Sequence, residues 1–221
     1  MSIAKNLQQI KATLKKGVEL VAVSKTKPSS DIEEAYAAGQ RIFGENRPQE
    51  MKTKAEELPK DIEWHMIGHL QSKKTKYIAP FVSLIHSVDK LSLLQEINKR
   101  AFQNDRIINV LLQVYIAKEE SKFGMDESEV TELLTSAAFQ ALENVKVVGL
   151  MGMATNTENK DLIQNEFKEL KSFFDILVGK QYSKNVDLTI LSTGMSGDYN
   201  IAMEEGSNMV RIGSSIFGSR G

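Results

Sequence analysis

The most constraining feature of this sequence is the alternation of short apolar, β-branched runs with longer segments of helical periodicity. Parallel strands joined by helices make right-handed crossovers, and strands covered on both faces carry continuous apolar residues. Eight such units in 221 residues predict an α/β fold, a single (β/α)8 TIM-type barrel, whose usual size is roughly 250 residues. The eight predicted strands lie in the runs VELVAVSKT, RIFGEN, EWHMIG, LIHSVD, INVLLQVYI, VKVVGLMGM, DLTILSTGM and MVRIGSSIFG.

The segments between these runs have the apolar spacing of helices, and an extra helix precedes the first strand. No linker rich in proline or glycine divides the chain, so we expect one domain over residues 1–221. A doubly wound open sheet is the alternative, but no G-x-G-x-x-G follows the first strand to support a dinucleotide fold. The predicted helices span 3–15, 31–38, 47–58, 90–102, 127–141, 160–178 and 201–205.

Composition and charge exclude several classes of function. The chain has 28 basic and 29 acidic side chains, so its charge favours neither nucleic acid nor an anionic membrane as a partner. It has no cysteine, which excludes disulfides, thiolate metal sites and cysteine nucleophiles. No run approaches the ~18 apolar residues of a membrane span, and the first residues lack the apolar core of a signal peptide. We therefore expect a cytoplasmic globular protein.

Polar residues collect where the predicted strands end, which is where barrels of this type place their active sites. Two of these ends resemble a phosphate site, because TGMSGD and IGSS combine glycines with hydroxyls after strands 7 and 8. Simple turns remain an alternative for both. The strand-end candidates are Lys25, Glu45, Asn46, His65, His86, Asp89, Met151, Met153, the STGMSGD loop and Arg211.

A phosphate site opposite a strand-end lysine indicates a Schiff-base enzyme or a phosphosugar aldolase. Lysine attacks a carbonyl only as the neutral amine, and burial at a barrel mouth lowers its pKa toward that state. Lys27 lies two residues after Lys25, so on an extended strand its side chain would point to the same side. It precedes Pro28, however, which favours extended geometry in the loop that leaves the strand. Lys25 is nearer the barrel and is therefore the stronger candidate.

Other features of the sequence are weaker indications of a functional site. His65 and His69 are four residues apart but read as a strand running into a turn, so we expect no metal site. Residues 73–76 read as a solvated helix start, and 119–122 as a polar loop after strand 5. The methionines at 151, 153, 195, 203 and 209 are expected to serve in packing.

Several longer motifs together resemble the pyridoxal phosphate homeostasis proteins, the YggS/PROSC family. They are AVSKTKP, FGENRPQE, EWHMIGHLQSKK, EESKFGM, GLMGM and GMSGDYNIAMEEGSNMVRIGSSIFG, which cover nearly the whole chain. The resemblance implies a barrel similar to the N-terminal domain of alanine racemase, binding pyridoxal 5'-phosphate (PLP). It also implies a Schiff base between PLP and Lys25, and Arg211 facing the pyridine nitrogen. Asn46 would lie near the ring, and the phosphate against Met195, Ser196, Gly213 and Ser214.

Three positions depart from the family pattern. Ser214 replaces the more usual threonine and keeps the hydroxyl, whereas Tyr115 stands where asparagine is expected. Pro48 stands where many members have an aliphatic residue.

The resemblance implies a PLP carrier and regulator that influences amino-acid and keto-acid pools, rather than an enzyme. An arginine donates to the pyridine nitrogen without protonating it, which makes the cofactor a weaker electron sink. No second, mostly β domain follows strand 8 to supply the opposite-face base that racemases of this fold use. A weak amino-acid racemase remains the alternative. The expected partners are PLP and PLP-dependent apo-enzymes, and the expected state is a monomer or weak homodimer.

Overall fold

The protein is described from a computed structural model that covers residues 2–117 and 124–218. The polar loop expected at 119–122 lies outside these described residues. The eight strands close into one parallel barrel, in which each strand pairs with the next along the chain and β1 pairs with β8. This confirms the predicted fold class. The strands are β1 Glu19–Val23, β2 Ile42–Glu45, β3 Glu63–Met66, β4 Leu84–Val88, β5 Ile108–Gln113, β6 Val145–Met151, β7 Val186–Ser192 and β8 Met209–Ile212.

Helices surround the barrel, and a 3-10 helix at Ser72–Tyr77 follows β3. The extra N-terminal helix α1 packs against α9 and α2, and the Asn6 side chain donates to the carbonyl of Ile216 at 2.9 Å. Within the described ranges, no helix is long and apolar enough to cross a bilayer. The helices are α1 Ile3–Thr13, α2 Ser29–Ala37, α3 Pro48–Glu57, α4 Leu91–Phe102, α5 Glu127–Thr135, α6 Ala137–Gln140, α7 Lys160–Val178, α8 Tyr199–Glu204 and α9 Ser214–Phe217.

One predicted helix is divided in the structure. The helix expected over 127–141 breaks at Ser136, whose extended backbone ends α5 while its hydroxyl accepts from the N–H of Phe139 and caps α6. Serine competes with the helical backbone in this way, which is why it favours caps over helix interiors. The last apolar run contains only a four-residue strand, since α9 begins two residues after Ile212.

The hydrophobic core has two layers, as the alternation of side chains along a strand requires. Leu20 and Ala22 pack outward against the helices, whereas Val21 belongs to a separate cluster inside the barrel. That inner cluster also contains Leu84 and Met209. Residues two positions further along, His86 and Arg211, are therefore carried inside as well, toward the C-terminal mouth.

Gly149 permits the close approach of β6 and β7. A β-carbon at this position would lie 1.8 Å from the carbonyl oxygen of Ile190, a distance that no side chain tolerates. The register of β6 also shifts here against both of its neighbours. Glycine in a strand interior commonly marks such an irregularity.

Candidate functional site

Lys25 lies on a tight turn at the end of β1. The N–H of Lys27 donates to the carbonyl of Ser24 at 3.0 Å, which closes the turn around Lys25 and Thr26. Thr26 has a φ of 66°, the left-handed value that a type II turn requires at its third position. A β-branched residue is unfavourable there, and the turn therefore holds strained backbone beside the candidate lysine.

A cavity of about 320 Å³ opens at the C-terminal mouth of the barrel, directly above this turn. Its size falls within the range of about 300–1,000 Å³ that is typical of small-molecule sites. Every residue that the family resemblance assigned to cofactor binding lines this one cavity. These residues are Lys25, Asn46, Met195, Ser196, Arg211, Gly213 and Ser214.

The loop after β7 forms one wall of the cavity. The N–H of Met195 donates to Oδ1 of Asp198 at 2.6 Å, and Gly194 adopts a φ of 88° that favours glycine. A β-carbon on Gly194 would also lie 2.6 Å from that of Ala202. Asp198 belongs to the STGMSGD loop named among the strand-end candidates, but its hydrogen bond to Met195 could not be predicted, because in sequence it looks like an ordinary turn residue. Burial raises the pKa of Asp198, although the N–H of Met195 and the charge of Arg211 oppose the rise.

The loop after β8 meets this wall directly. The N–H of Gly213 donates to Oγ of Ser196 at 3.3 Å, and the N–H of Arg211 donates to the carbonyl of Gly194 at 3.0 Å. A β-carbon on Gly197 would meet no atom within 4 Å, so open space lies beside the loop. Backbone N–H groups, hydroxyls and an unfilled space are what a phosphate group needs.

Arg211 crosses the floor of the cavity and is 4% exposed. Its guanidinium donates to the carbonyl of Ser192 at 2.8 Å, to the Ser192 hydroxyl at 2.7 Å and to the carbonyl of Gly152 at 3.1 Å. Burial lowers its pKa to about 10, so the group remains positively charged at neutral pH. These three bonds use three of the five N–H groups of a guanidinium, and the head is held at a fixed angle.

A chain of buried polar groups continues from Arg211 into the barrel. Ser192 Oγ lies 3.2 Å from Nδ1 of His86, and Nε2 of His86 lies 3.1 Å from Nδ1 of His65. Burial lowers the pKa of His65 to about 3 and that of His86 well below its ordinary value. Both rings are therefore neutral at pH 7. Both histidines were predicted at strand ends, but no local pattern predicts this chain, which joins residues over 100 positions apart.

His65 and His69, which are four residues apart in sequence, lie in different surroundings. His69 lies 3.9 Å from Asp89, away from the buried His65, so the two histidines do not converge. Within the described residues, no group of three or more His, Cys, Asp or Glu side chains could hold a metal ion.

The cavity rim also carries Lys27, the weaker lysine candidate, which lines the cavity beside Lys25. Met153 and Met195 are 40% and 39% exposed and lie on the rim, whereas Met151, Met203 and Met209 are buried as expected. Packing was therefore the wrong interpretation for the two rim methionines.

The fold and the cavity define a (β/α)8 barrel with a lysine and an arginine at its C-terminal mouth. The family model "Alanine racemase, N-terminal domain" matches residues 1–221. A pyridoxal phosphate homeostasis protein from Aquifex aeolicus is 43% identical over 91% of this chain and 87% of its own. One from Vibrio alginolyticus is 37% identical over 99% of this chain and 98% of its own. The chain belongs to the alanine racemase N-terminal domain family and, within it, to the pyridoxal phosphate homeostasis proteins.

Solved structures agree with this assignment. PipY from Synechococcus elongatus, solved with PLP bound, is 35% identical with a TM-score of 0.87, covering 98% of this chain and 100% of PipY. Alanine racemase from Clostridium difficile is 16% identical with a TM-score of 0.78, covering 99% of this chain and 57% of the racemase. The racemase likeness shows a common fold alone.

Proposed function

We propose that the chain binds PLP in the cavity at the barrel mouth and takes part in intracellular PLP homeostasis as a carrier rather than an enzyme. The observation that carries this proposal is the meeting of Lys25, Arg211 and Ser196 in one cavity. The names of the relatives and the PLP-bound structure of PipY support it.

The residues present fit the groups of PLP. Lys25 supplies a primary amine, the loops at Ser196 and Gly213 supply O–H and N–H donors, and Arg211 supplies a fixed cation. Helices α8 and α9, which follow these loops, are only six and four residues long. We therefore assign phosphate binding to the loops and not to the N-termini of the helices. Asn46, Met195 and Ser214 complete the proposed binding set.

Lys25 is the proposed point of covalent attachment. Lys25 would hold PLP through its neutral amine, which would condense with the aldehyde and release one water molecule. PLP bound in this way supplies an electron sink. Arg211 stays protonated and can only donate hydrogen bonds. Facing the pyridine nitrogen, it would leave that nitrogen without a proton and make the electron sink weaker. This arrangement suits storage of the aldehyde better than carbanion chemistry.

The test of the site is chemical trapping. The purified protein is mixed with PLP, reduced with borohydride and digested, and the pyridoxyl adduct is located by mass spectrometry. We expect the adduct on Lys25, and we expect Lys25→Ala to lose the visible absorbance band while remaining folded. Lys99→Ala, which changes an exposed lysine on α4, should keep the band. An adduct on Lys27 alone, or none, would overturn the assignment.

The test of the carrier role is transfer. The loaded protein should restore activity to PLP-dependent apo-enzymes, which we propose as its partners in the cytoplasm. Sedimentation should show a monomer or weak homodimer. A weak amino-acid racemase is the second candidate, since Lys25 and Arg211 face the same cavity in either case. Stereospecific exchange of an amino acid's α-proton in deuterated water would favour the racemase, and its absence across a broad panel would favour the carrier.

A further inference from the structure

A buried ion cluster lies beneath the turn that carries Lys25. The ammonium group of Lys54, on α3, donates to Oε1 of Glu45 at 2.8 Å, to Oε1 of Glu50 at 2.8 Å and to the carbonyl of Ser24 at 2.9 Å. The Ser24 hydroxyl also donates to Oε1 of Glu45, at 2.6 Å. Lys54 is 5% exposed and Glu45 is fully buried. The three N–H groups of the ammonium are thus all used within the protein.

The cluster fastens the turn at two points. Ser24, which accepts from Lys54, also accepts the N–H of Lys27 that closes the turn. Glu50 Oε1, which accepts from Lys54, also accepts the N–H of Thr26 at 2.7 Å. Thr26 is the residue with the unfavourable φ of 66°. Ser24, the first residue of the turn, is therefore bonded directly to the Lys54 ammonium group. Thr26, the strained residue, is linked to the same group through Glu50.

Stability alone gives a weak reason for such a cluster, because a well-packed apolar group often replaces a buried ion pair without loss. Burial raises the pKa of Glu45 despite the opposing charge of Lys54, so this carboxylate is not in a favourable environment. For Glu50, burial works in the same direction, but the hydrogen bonds from Lys54 and Thr26 prevail and lower its pKa. The hydrogen bond from Lys54 and, after it, the contact with Thr26 of the turn therefore both favour the ionised form of Glu50.

We propose that Lys54 and Glu50 are positioning residues that hold the 24–27 turn in the strained conformation which presents Lys25 to the cavity. The identity of the molecule that Lys25 meets rests on the proposed function. The effect on the turn itself is independent of that function.

The first experiment measures the turn in the protein without PLP. Amide hydrogen exchange at Thr26 is followed by NMR in the unchanged chain, in Glu50→Ala and in Glu50→Gln. We expect exchange at Thr26 to rise about tenfold in Glu50→Ala, the factor that loss of one hydrogen bond to a charged group brings. Glu50→Gln keeps an acceptor oxygen and should restore part of the protection. Glu56→Ala is the matched control, because Glu56 lies on α3 in an exposed pair with Lys52.

The second experiment measures how Lys25 is presented. PLP is added to each apo protein and the growth of the visible band is timed. We expect Glu50→Ala to slow it about tenfold, by the same hydrogen-bond argument, and Glu56→Ala to leave it unchanged. Lys54→Met alone would leave Glu45 buried without its cation, so it is paired with Glu45→Gln. This double variant should slow the band while urea unfolding shows a folded protein.

The outcomes separate the two proposals. Unchanged exchange at Thr26 in Glu50→Ala, or a normal rate of band growth in folded Glu50→Ala and in the double variant, would overturn the positioning role. Failure of the unchanged chain to form any band would overturn PLP binding instead. The exchange measurement would still decide the role of the cluster in that case.

Discussion

The N–H of Gly213 donates to the hydroxyl of Ser196 at 3.3 Å, which joins the loop after β8 to the loop after β7. Seventeen positions separate the two residues in the chain, yet together they form one face of the cavity. The Ser196 hydroxyl accepts this N–H group through its oxygen, so its own O–H can donate to a phosphate bound at this face.

Removal of this hydroxyl should weaken phosphate recognition selectively. We expect Ser196→Ala to lower the affinity for PLP about five- to tenfold, because a net hydrogen bond contributes about 1 kcal/mol. Pyridoxal, which lacks the phosphate, should bind equally well to both proteins. Absorbance titration measures both ligands, and Ser172→Ala is the control, since that hydroxyl donates to the Lys168 carbonyl of its own helix. Equal PLP affinity in Ser196→Ala would contradict the placement of the phosphate.

Arg211 should matter for stability as well as binding. Arg211→Met removes the cation that satisfies the buried oxygens of Ser192 and Gly152, so we expect a loss of about 3 kcal/mol in the free energy of unfolding. Arg100→Met, at a partly exposed pair with Glu96, should cost no more than about 1 kcal/mol. Urea unfolding compares them, and similar values for the two variants would show that Arg211 is not structurally required.

The buried histidines predict a pH dependence of stability. The folded protein keeps the pKa of His65 at about 3 and that of His86 well below its ordinary value, whereas both titrate near 6.5 in the unfolded chain. Below that pH the unfolded state binds more protons, so stability falls as pH drops from about 6.5 toward the folded pKa. The limiting slope is about 1.4 kcal/mol per pH unit for each histidine.

Urea unfolding between pH 7.5 and 5.5 measures this slope above the main titration of the carboxylates. His65→Gln should remove about half of it. His69→Gln is the control, because the His69 side chain is half-exposed and lies outside the buried histidine chain. A slope that is equal in the unchanged chain and in His65→Gln would contradict the prediction.

The turn at Thr26 predicts a stabilising substitution. Thr26→Gly relieves the left-handed φ of a β-branched residue and should raise the free energy of unfolding by about 1 kcal/mol. Asp105 also has a positive φ, of 51°, but aspartate tolerates this region better, so Asp105→Gly should gain less. Thermal and urea unfolding measure both variants. A larger gain at Asp105 would show that the 24–27 turn is not strained.

The barrel was predictable because its strands are continuous apolar runs with a helix between each pair. The cavity residues were predictable because the C-terminal ends of the strands meet at one mouth, which brought Lys25, Asn46 and Arg211 together. Lys54 could not be recognised in this way. It lies in the polar stretch MKTKAEE, which reads as a solvated helix face until its contacts with Ser24 and Glu45 are seen.

The hydrogen-bonded chain of His65, His86 and Ser192 could not be predicted, for a different reason. His86 sits in a fully buried strand, where the sequence indicates burial but not whether a side chain points to the helices or into the barrel. Its partner Ser192 is 106 positions away and belongs to another strand. Local periodicity contains no information on such a pairing. The break at Ser136 is a similar case, since a capping hydroxyl and a helical serine look alike in sequence.

The pairing of β1 with β8 places the cavity across the closure of the barrel. Lys25 follows the first strand, whereas Arg211 and Ser214 belong to the last strand and the helix after it. During synthesis the complete pocket cannot exist until the eighth strand has left the ribosome and joined the first. A ligand that contacts both sides of this junction can therefore be held by the full set of cavity residues only after β1 and β8 have paired.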